Sequence, residues 1–186
     1  MRIVAGRLRG LRLAGLGRGD PAAQLRPTAD RVRESLFNVL WSGFAQPAPG
    51  VPVLDLFAGT GALGLEALSR GAGFATFVES GRVALGLIRD NIARARAGEC
   101  TRIVAHDAAR IGPCPGAPAG LVFLDPPYGR GLGARALTAA AAGGWLAPGA
   151  VVVWEENAPQ DPPEGFVLRD HREYGDTHVT LLTAPD

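Results

Sequence analysis

Apolar residues fall along this chain in short blocks of two kinds. From residue 53 onward, dense apolar runs at 53–57, 74–79, 102–105, 121–124 and 150–155 predict buried strands. Between them, segments 62–70, 82–97 and 134–142 repeat apolar positions at helical spacing. Strand–helix alternation of this kind predicts an α/β fold, with a mostly parallel sheet and helices on both faces. The end of the chain breaks the pattern. Segments 166–174 and 177–183 flank Gly175-Asp176, a two-residue hairpin signal, so an antiparallel pair closes the sheet. The expected fold class is a doubly wound, mostly parallel seven-stranded sheet with an antiparallel terminal hairpin.

The front of the chain is organised differently. Residues 1–25 are rich in Gly and Arg, with apolar stretches at Ile3-Val4 and 11–13, and read as a small two-strand ribbon or arm. Pro27 stops what precedes, Thr28 is a good N-cap, and 28–40 reads as a helix. Val32, Leu36, Val39 and Leu40 share its apolar face, with Arg31, Glu34 and Asn38 opposite. The division expected is an arm at 1–25 and one domain at 26–186. Segments 42–50 and 112–120 are Gly/Pro-rich connectors.

A hydrophobic content of 47% is enough to build a substantial core, which excludes a disordered chain. No apolar run approaches the roughly 20 residues that span a bilayer, and the N-terminus lacks a long apolar segment, so a cytoplasmic protein is expected. Cys100 and Cys114 are expected to be reduced thiols. No Cys/His cluster has zinc spacing, and no metal is expected. The formal charge is +1, but it is unevenly distributed. Residues 1–40 hold eight arginines against three acids, a surplus of five; the remainder holds eleven against fifteen. A basic front on a mildly acidic body suits a polyanion partner such as nucleic acid, the alternative being a solvated charged arm.

The stretch "VLDLFAGTGALGLEAL" is a strand, a glycine turn and a helix. Gly59 to Gly64 match G-x-G-x-x-G, which alone suggests a dinucleotide. Two features pull the other way. Asp55, inside the strand end, would repel a pyrophosphate but suits an ammonium or sulfonium charge. Glu79 ends the next strand, 18 residues beyond Gly61, where an acid binds ribose hydroxyls. Asp107 follows the third strand, where it could meet an adenine amine. Acids after three successive strands fit S-adenosylmethionine, although each one singly could be a surface or capping residue.

The run "VFLDPPYGR" ends a strand in Asp125, Pro126, Pro127 and Tyr128. Two prolines cannot extend a central strand, because neither donates a ladder hydrogen bond. By strand count, this corner lies beside the glycine turn, where the sheet order should reverse. There Asp125 and the Pro126 carbonyl can accept the two N–H groups of a nucleobase amine, and Tyr128 can stack on the base. The alternative is an ordinary turn.

"DLFAGTG" followed by "DPPY" resembles the S-adenosylmethionine-dependent amino-methyltransferases. With "RIVAGRLRGLRL", "RPTADRVRESLFNVL", "LDLFAGTGALGLEALSRGA", "FVE" and "FLDPPYGRGL", nearly the whole chain is similar to the bacterial 16S ribosomal RNA guanine-N2 methyltransferase family (RsmD-like). The resemblance implies a Rossmann-like methyltransferase fold and S-adenosylmethionine as cofactor. The implied cofactor residues are Asp55, Phe57, Ala58, Gly59, Thr60, Gly61, Glu79, Asp107 and Ala108. Asp125, Pro126, Pro127 and Tyr128 would hold the guanine. Arg2, Arg7, Arg9, Arg12, Arg26, Arg31 and Arg33 would grip RNA, with the helix at 28–40 covering the cleft. The implied partner is 16S RNA in the small subunit or its assembly intermediate, and a monomer is expected. Two rivals remain open: a nicotinamide oxidoreductase on the glycine motif and a non-catalytic RNA-binding assembly factor; a cysteine nucleophile at Cys114 is disfavoured, because it precedes the fourth strand and no base partner is evident.

Overall fold

The computed structural model describes residues 1–15, 30–41 and 47–186. The predicted N-cap Thr28, Pro27 and the candidate RNA contact Arg26 lie outside the described residues. In chain order the elements are α1 (Asp30–Val39), β1 (Pro52–Leu56), α2 (Ala62–Ser69), β2 (Phe74–Glu79), α3 (Arg82–Ala95) and β3 (Thr101–Ala105). They continue with β4 (Ala119–Leu124), α4 (Leu132–Ala142), β5 (Leu146–Glu156), β6 (Val167–Tyr174) and β7 (Thr177–Thr183). The strands form one sheet in the order β3-β2-β1-β4-β5-β7-β6. β1 to β5 pair in parallel, while β7 runs antiparallel to both β5 and β6.

Side chains alternate between the faces of a strand, so each strand feeds two cores. Val53, Phe77, Leu121, Phe123, Val153 and Leu181 meet α1, α2 and α3 through Leu36, Phe37, Leu65, Leu68, Ile88 and Ile92. Leu54, Leu56, Val78, Val122, Leu124, Val152 and Trp154 face the other way, onto Ala136, Leu137 and Ala140 of α4. Burial on both faces explains why the strands read as dense apolar runs. The doubly wound expectation holds, with the α-helices among the described residues split three to one. The β3–β4 crossover carries only a 3₁₀ turn, Ala108–Arg110, before the Gly/Pro-rich loop. β5 is longer than its apolar run predicts. Leu146 already pairs with Ala119, across a register shift, before the Val151–Leu121 pairing begins.

Among the described residues the ribbon expected at the N-terminus is short: an antiparallel bridge, Arg2 to Arg12, with the backbone bonds Ile3 N–H to Leu11 O, Gly10 N–H to Ile3 O and Leu13 N–H to Met1 O, around a 3₁₀ turn, Gly6–Leu8. It is also held from outside. Glu66, fully buried on α2, takes the Val4 and Ala5 N–H groups at 2.7 and 3.0 Å. Ser69 accepts from Leu8 N–H at 2.9 Å, and Asn91 of α3 both accepts from and donates to the Ala14 backbone. Ile3 and Leu13 enter the core beside them. Residues 1–15 are therefore docked on α2 and α3 by a few buried polar groups.

Glu66 also pairs with Arg70 at 2.9 Å, so its removal strands a cation and two amides. Glu66→Ala should cost about 3 kcal/mol of unfolding free energy. Urea denaturation would check this; a loss under about 1 kcal/mol contradicts the docking account.

Candidate functional site

The sheet order reverses between β1 and β4, whose last paired residues are Leu56 and Leu124. The glycine turn and the Asp-Pro-Pro-Tyr corner therefore leave adjacent strand ends, as the strand count predicted. Open α/β sheets bind ligands at this crevice. The turn is tightly held. Phe57 has φ +64°, a strained value for a residue with a bulky side chain. Ala58 N–H donates to Val78 O at 3.0 Å, and Gly59 N–H to a Glu79 carboxylate oxygen at 2.9 Å. Gly61, at φ +77°, opens α2 from the left-handed region that only glycine adopts without strain. At Gly64 an added Cβ would lie 2.4 Å from the Phe77 ring and 3.2 Å from Asp55 Oδ2.

That close approach serves Asp55. Its side chain is 1% exposed, and Oδ2 accepts the Gly64 N–H at 2.9 Å, in the first turn of α2. Burial pushes its carboxyl from 3.8 up to about 8; the Gly64 N–H opposes the shift and the charge of Glu79 adds to it. Asp125, one strand over, is also raised well above the usual carboxylate range. Loss of water is the largest cause, followed by the charges of Glu155, Asp55 and Glu156.

With Glu79, five carboxyl groups thus share one end of the sheet. Glu155 and Glu156, at the end of β5, are both buried. Tyr128 O–H donates to Glu155 Oε1 at 3.0 Å, and Gly129 N–H to Glu156 Oε2 at 3.3 Å. The end of β5 therefore pins the loop that carries the corner. Sequence reasoning missed these two acids, although "VVVWEEN" carried the same signal as β1 and β2: a carboxylate closing an apolar strand.

The other predicted residues are distributed as follows. Glu79 sits beside the glycine turn, and its other oxygen, Oε1, accepts from Ser80 and Gly81 N–H at 2.8 and 2.7 Å. Asp107 is exposed and caps the 3₁₀ turn through Ala109 N–H at 2.9 Å, with Ala108 buried behind it. Thr60 O accepts from Asn91 Nδ2 at 2.8 Å, so one buried asparagine holds both the glycine turn and the arm. Arg2, Arg7, Arg9, Arg12 and Arg31 are exposed. Arg33 is a correction. It is 1% exposed on the inner face of α1 and donates to the Arg2 carbonyl, so it does not stand on the surface with the others. Cys114 lines a cavity of about 330 Å³ with Pro52, Phe74, Arg102 and Trp145, at the N-terminal ends of β1 and β2. It is at the wrong end of the sheet to attack anything held by Asp125.

A family model described as "Conserved hypothetical protein 95" matches residues 1–183. The chain belongs to this family. Among its relatives is the ribosomal RNA small subunit methyltransferase D of Escherichia coli K12, 40% identical over 93% of this chain and 83% of the relative. The Haemophilus influenzae protein of the same name is 33% identical over 94% of this chain and 89% of its own length. A solved structure of the Escherichia coli methyltransferase candidate yhhF superposes with a TM-score of 0.82 at 36% identity, covering 100% of this chain and 98% of that one. Family and fold make the protein a methyltransferase of the RsmD kind, which resolves the glycine motif against a nicotinamide enzyme.

The raised Asp55 carboxyl has a consequence for the protein without cofactor. The folded state keeps the proton up to about pH 8, while the unfolded chain releases it near 3.8. The stabilising contribution is complete below pH 3.8 and is lost as pH rises through about 8. Asp55→Asn, which retains an acceptor for Gly64 N–H, should flatten the fall in stability between about pH 5 and 8. Denaturation midpoints across that range measure it, and parallel slopes for the two proteins would contradict a protonated Asp55.

Proposed function

We propose that this protein transfers a methyl group from S-adenosylmethionine to the exocyclic N2 amine of a guanine in 16S RNA of the small ribosomal subunit. The observation that carries the reading is the side-by-side exit of Asp55 and Asp125 from β1 and β4, with the glycine turn between strand and helix. The names of the relatives supply the RNA; this corner supplies the amine chemistry.

The residues fit the cofactor. Gly61, in the left-handed region, makes the turn tight, Gly64 lets α2 close onto Phe77 and Asp55, and the acids bonded to this turn and helix start are what a cationic sulfonium requires. Asp55 and residues 57–61 would hold the methionine portion. Glu79 would take the ribose: Oε1 already accepts two amides, but Oε2 accepts the Gly59 N–H and keeps a second lone pair for a hydroxyl. Asp107 and Ala108 would border the adenine. When bound, S-adenosylmethionine supplies an electrophilic methyl group on a good neutral leaving group.

The rest belongs to the chain's own residues. Asp125 and the Pro126 carbonyl accept the two amine N–H groups and hold the nitrogen, whose lone pair is otherwise delocalised into the ring. Positive charge grows on that nitrogen as the bond forms, so both acceptors bind the transition state better than the ground state. Asp125 accepts most strongly when ionised. A cation nearby opposes both the desolvation and, after it, the charge repulsion that raise its carboxyl, so the ionised state is favoured when the site is loaded. Tyr128 offers its ring to the extruded base. The exposed Arg2, Arg7, Arg9 and Arg12 grip phosphates, joined by Arg31 on α1. The protein works in the cytoplasm as a monomer on the assembling small subunit.

The direct test is mass mapping of modified nucleotides in small-subunit RNA from cells with and without the gene. The expected result is one guanine that loses its N2 methyl, and unchanged RNA refutes the reading. Asp125→Ala should lower transfer to small subunits about 100-fold or more while cofactor binding persists. Turnover within a few-fold of wild type would refute the amine-holding role. Replacing Arg7, Arg9 and Arg12 together by Ala should weaken RNA binding and flatten its log–log salt slope by about 2. An unchanged slope removes the arm from the interface.

A further inference from the structure

We propose that Glu155 is a positioning residue, whose carboxylate fixes the Tyr128 ring as one wall of the base site. The inference rests on the reading of Tyr128 as the stacking residue.

Tyr128 stands between two unlike pieces of backbone. Before it, Pro126-Pro127 is stiff, with φ locked by both rings. After it come Gly129 at φ +71° and Gly131 at φ +61°. The chain direction at Tyr128 is thus set on one side only, and the two side-chain torsions are left to be fixed by whatever the ring touches. Its hydroxyl is where this happens. O–H donates to Glu155 Oε1 at 3.0 Å, and the Tyr128 hydroxyl also hydrogen-bonds to Thr177, at the start of β7. The ring itself is half-buried, so a face can remain for a ligand.

Glu155 is well suited to anchoring. It is 4% exposed at the end of β5, a central strand paired with β4 on one side and β7 on the other. It shares the strand face of Val151 and Val153, the face that Phe123 of β4 also lines. A buried ionised acceptor makes a stronger hydrogen bond than a neutral one. The hydroxyl stays a donor. Burial first, and then the charges of Glu155 and Asp125, hold it above the ordinary phenol range. The tyrosine hydroxyl is accordingly an anchor, with no part in proton transfer. An unanchored ring would still stack, but only after being ordered at each encounter, so the loss should fall on RNA KM.

A double-mutant cycle on methyl transfer tests this, with each variant assayed at its own pH optimum. Tyr128→Phe and Glu155→Ala should each lower kcat/KM about tenfold, mostly through KM for RNA, with cofactor Kd unchanged. The double variant should be no worse than either single one. Glu155→Gln keeps an acceptor oxygen and should stay within about threefold of wild type, which also covers the case that Glu155→Ala does not fold. An additive double variant, about 100-fold down, would overturn the anchoring, as would Gln being as poor as Ala. Tyr128→Ala separates the two ideas: full activity there overturns the stacking reading itself, whereas lost activity with an additive cycle overturns only the anchor.

Discussion

Carboxyl groups crowded at one end of a sheet, largely out of water, are the constraint around which this structure is organised. Each needs a reason to tolerate its burial, and the backbone supplies most of them. Asp55 takes an amide from the first turn of α2, which requires glycine at 64 because a Cβ would strike Phe77. Glu79 takes amides from the glycine turn and from the start of α3. Glu155 and Glu156 take a phenol and an amide from the loop after β4. The acids therefore fix the loops, and the loops keep the acids in place. What hydrogen bonding does not offset, protonation does, as the raised Asp55 and Asp125 carboxyls express.

The same economy of buried polar groups holds the basic front of the chain. Residues 1–15 pair with themselves across a short ribbon and lean beyond it on Glu66, Ser69, Asn91 and Arg33. Because backbone groups do the docking, the side chains of Arg2, Arg7, Arg9 and Arg12 remain free to face solvent. Asn91 makes the arm continuous with the site: its amide joins Ala14 to Thr60 of the glycine turn. Arm and turn are two sides of one buried residue.

Much of this was legible because buried parallel strands announce themselves as apolar runs, and because glycine and proline mark the corners. The strand count alone put Asp125 beside the glycine turn. Other features needed long-range information. Nothing local to Val4 and Ala5 says that Glu66, some sixty residues away, will take their amides and dock the ribbon. Arg33 is a different case. It lies three, four and seven residues before Leu36, Phe37 and Leu40, all buried, so helical spacing already put it on the inner face. Its charge drew attention away from its position. Glu155 and Glu156 were equally visible at a strand end; what the sequence could not supply was the loop that folds back onto them.

Asp55 and Asp125 feel each other's charge, and that links the two halves of the proposed reaction. Neutralising either carboxylate eases the ionisation of the other, so a cation held near Asp55 prepares Asp125 to accept an amine. The converse follows by reciprocity: an amine gaining positive charge against Asp125 strengthens the hold of Asp55 on a neighbouring cation. Methyl transfer removes the sulfonium charge and, once the amine sheds its proton, leaves neither positive group behind. The carboxyls then take up protons again, and the site loses its hold on both products when they must leave. A single buried acid could not do this; it takes two on adjacent strands, at the point where the sheet reverses.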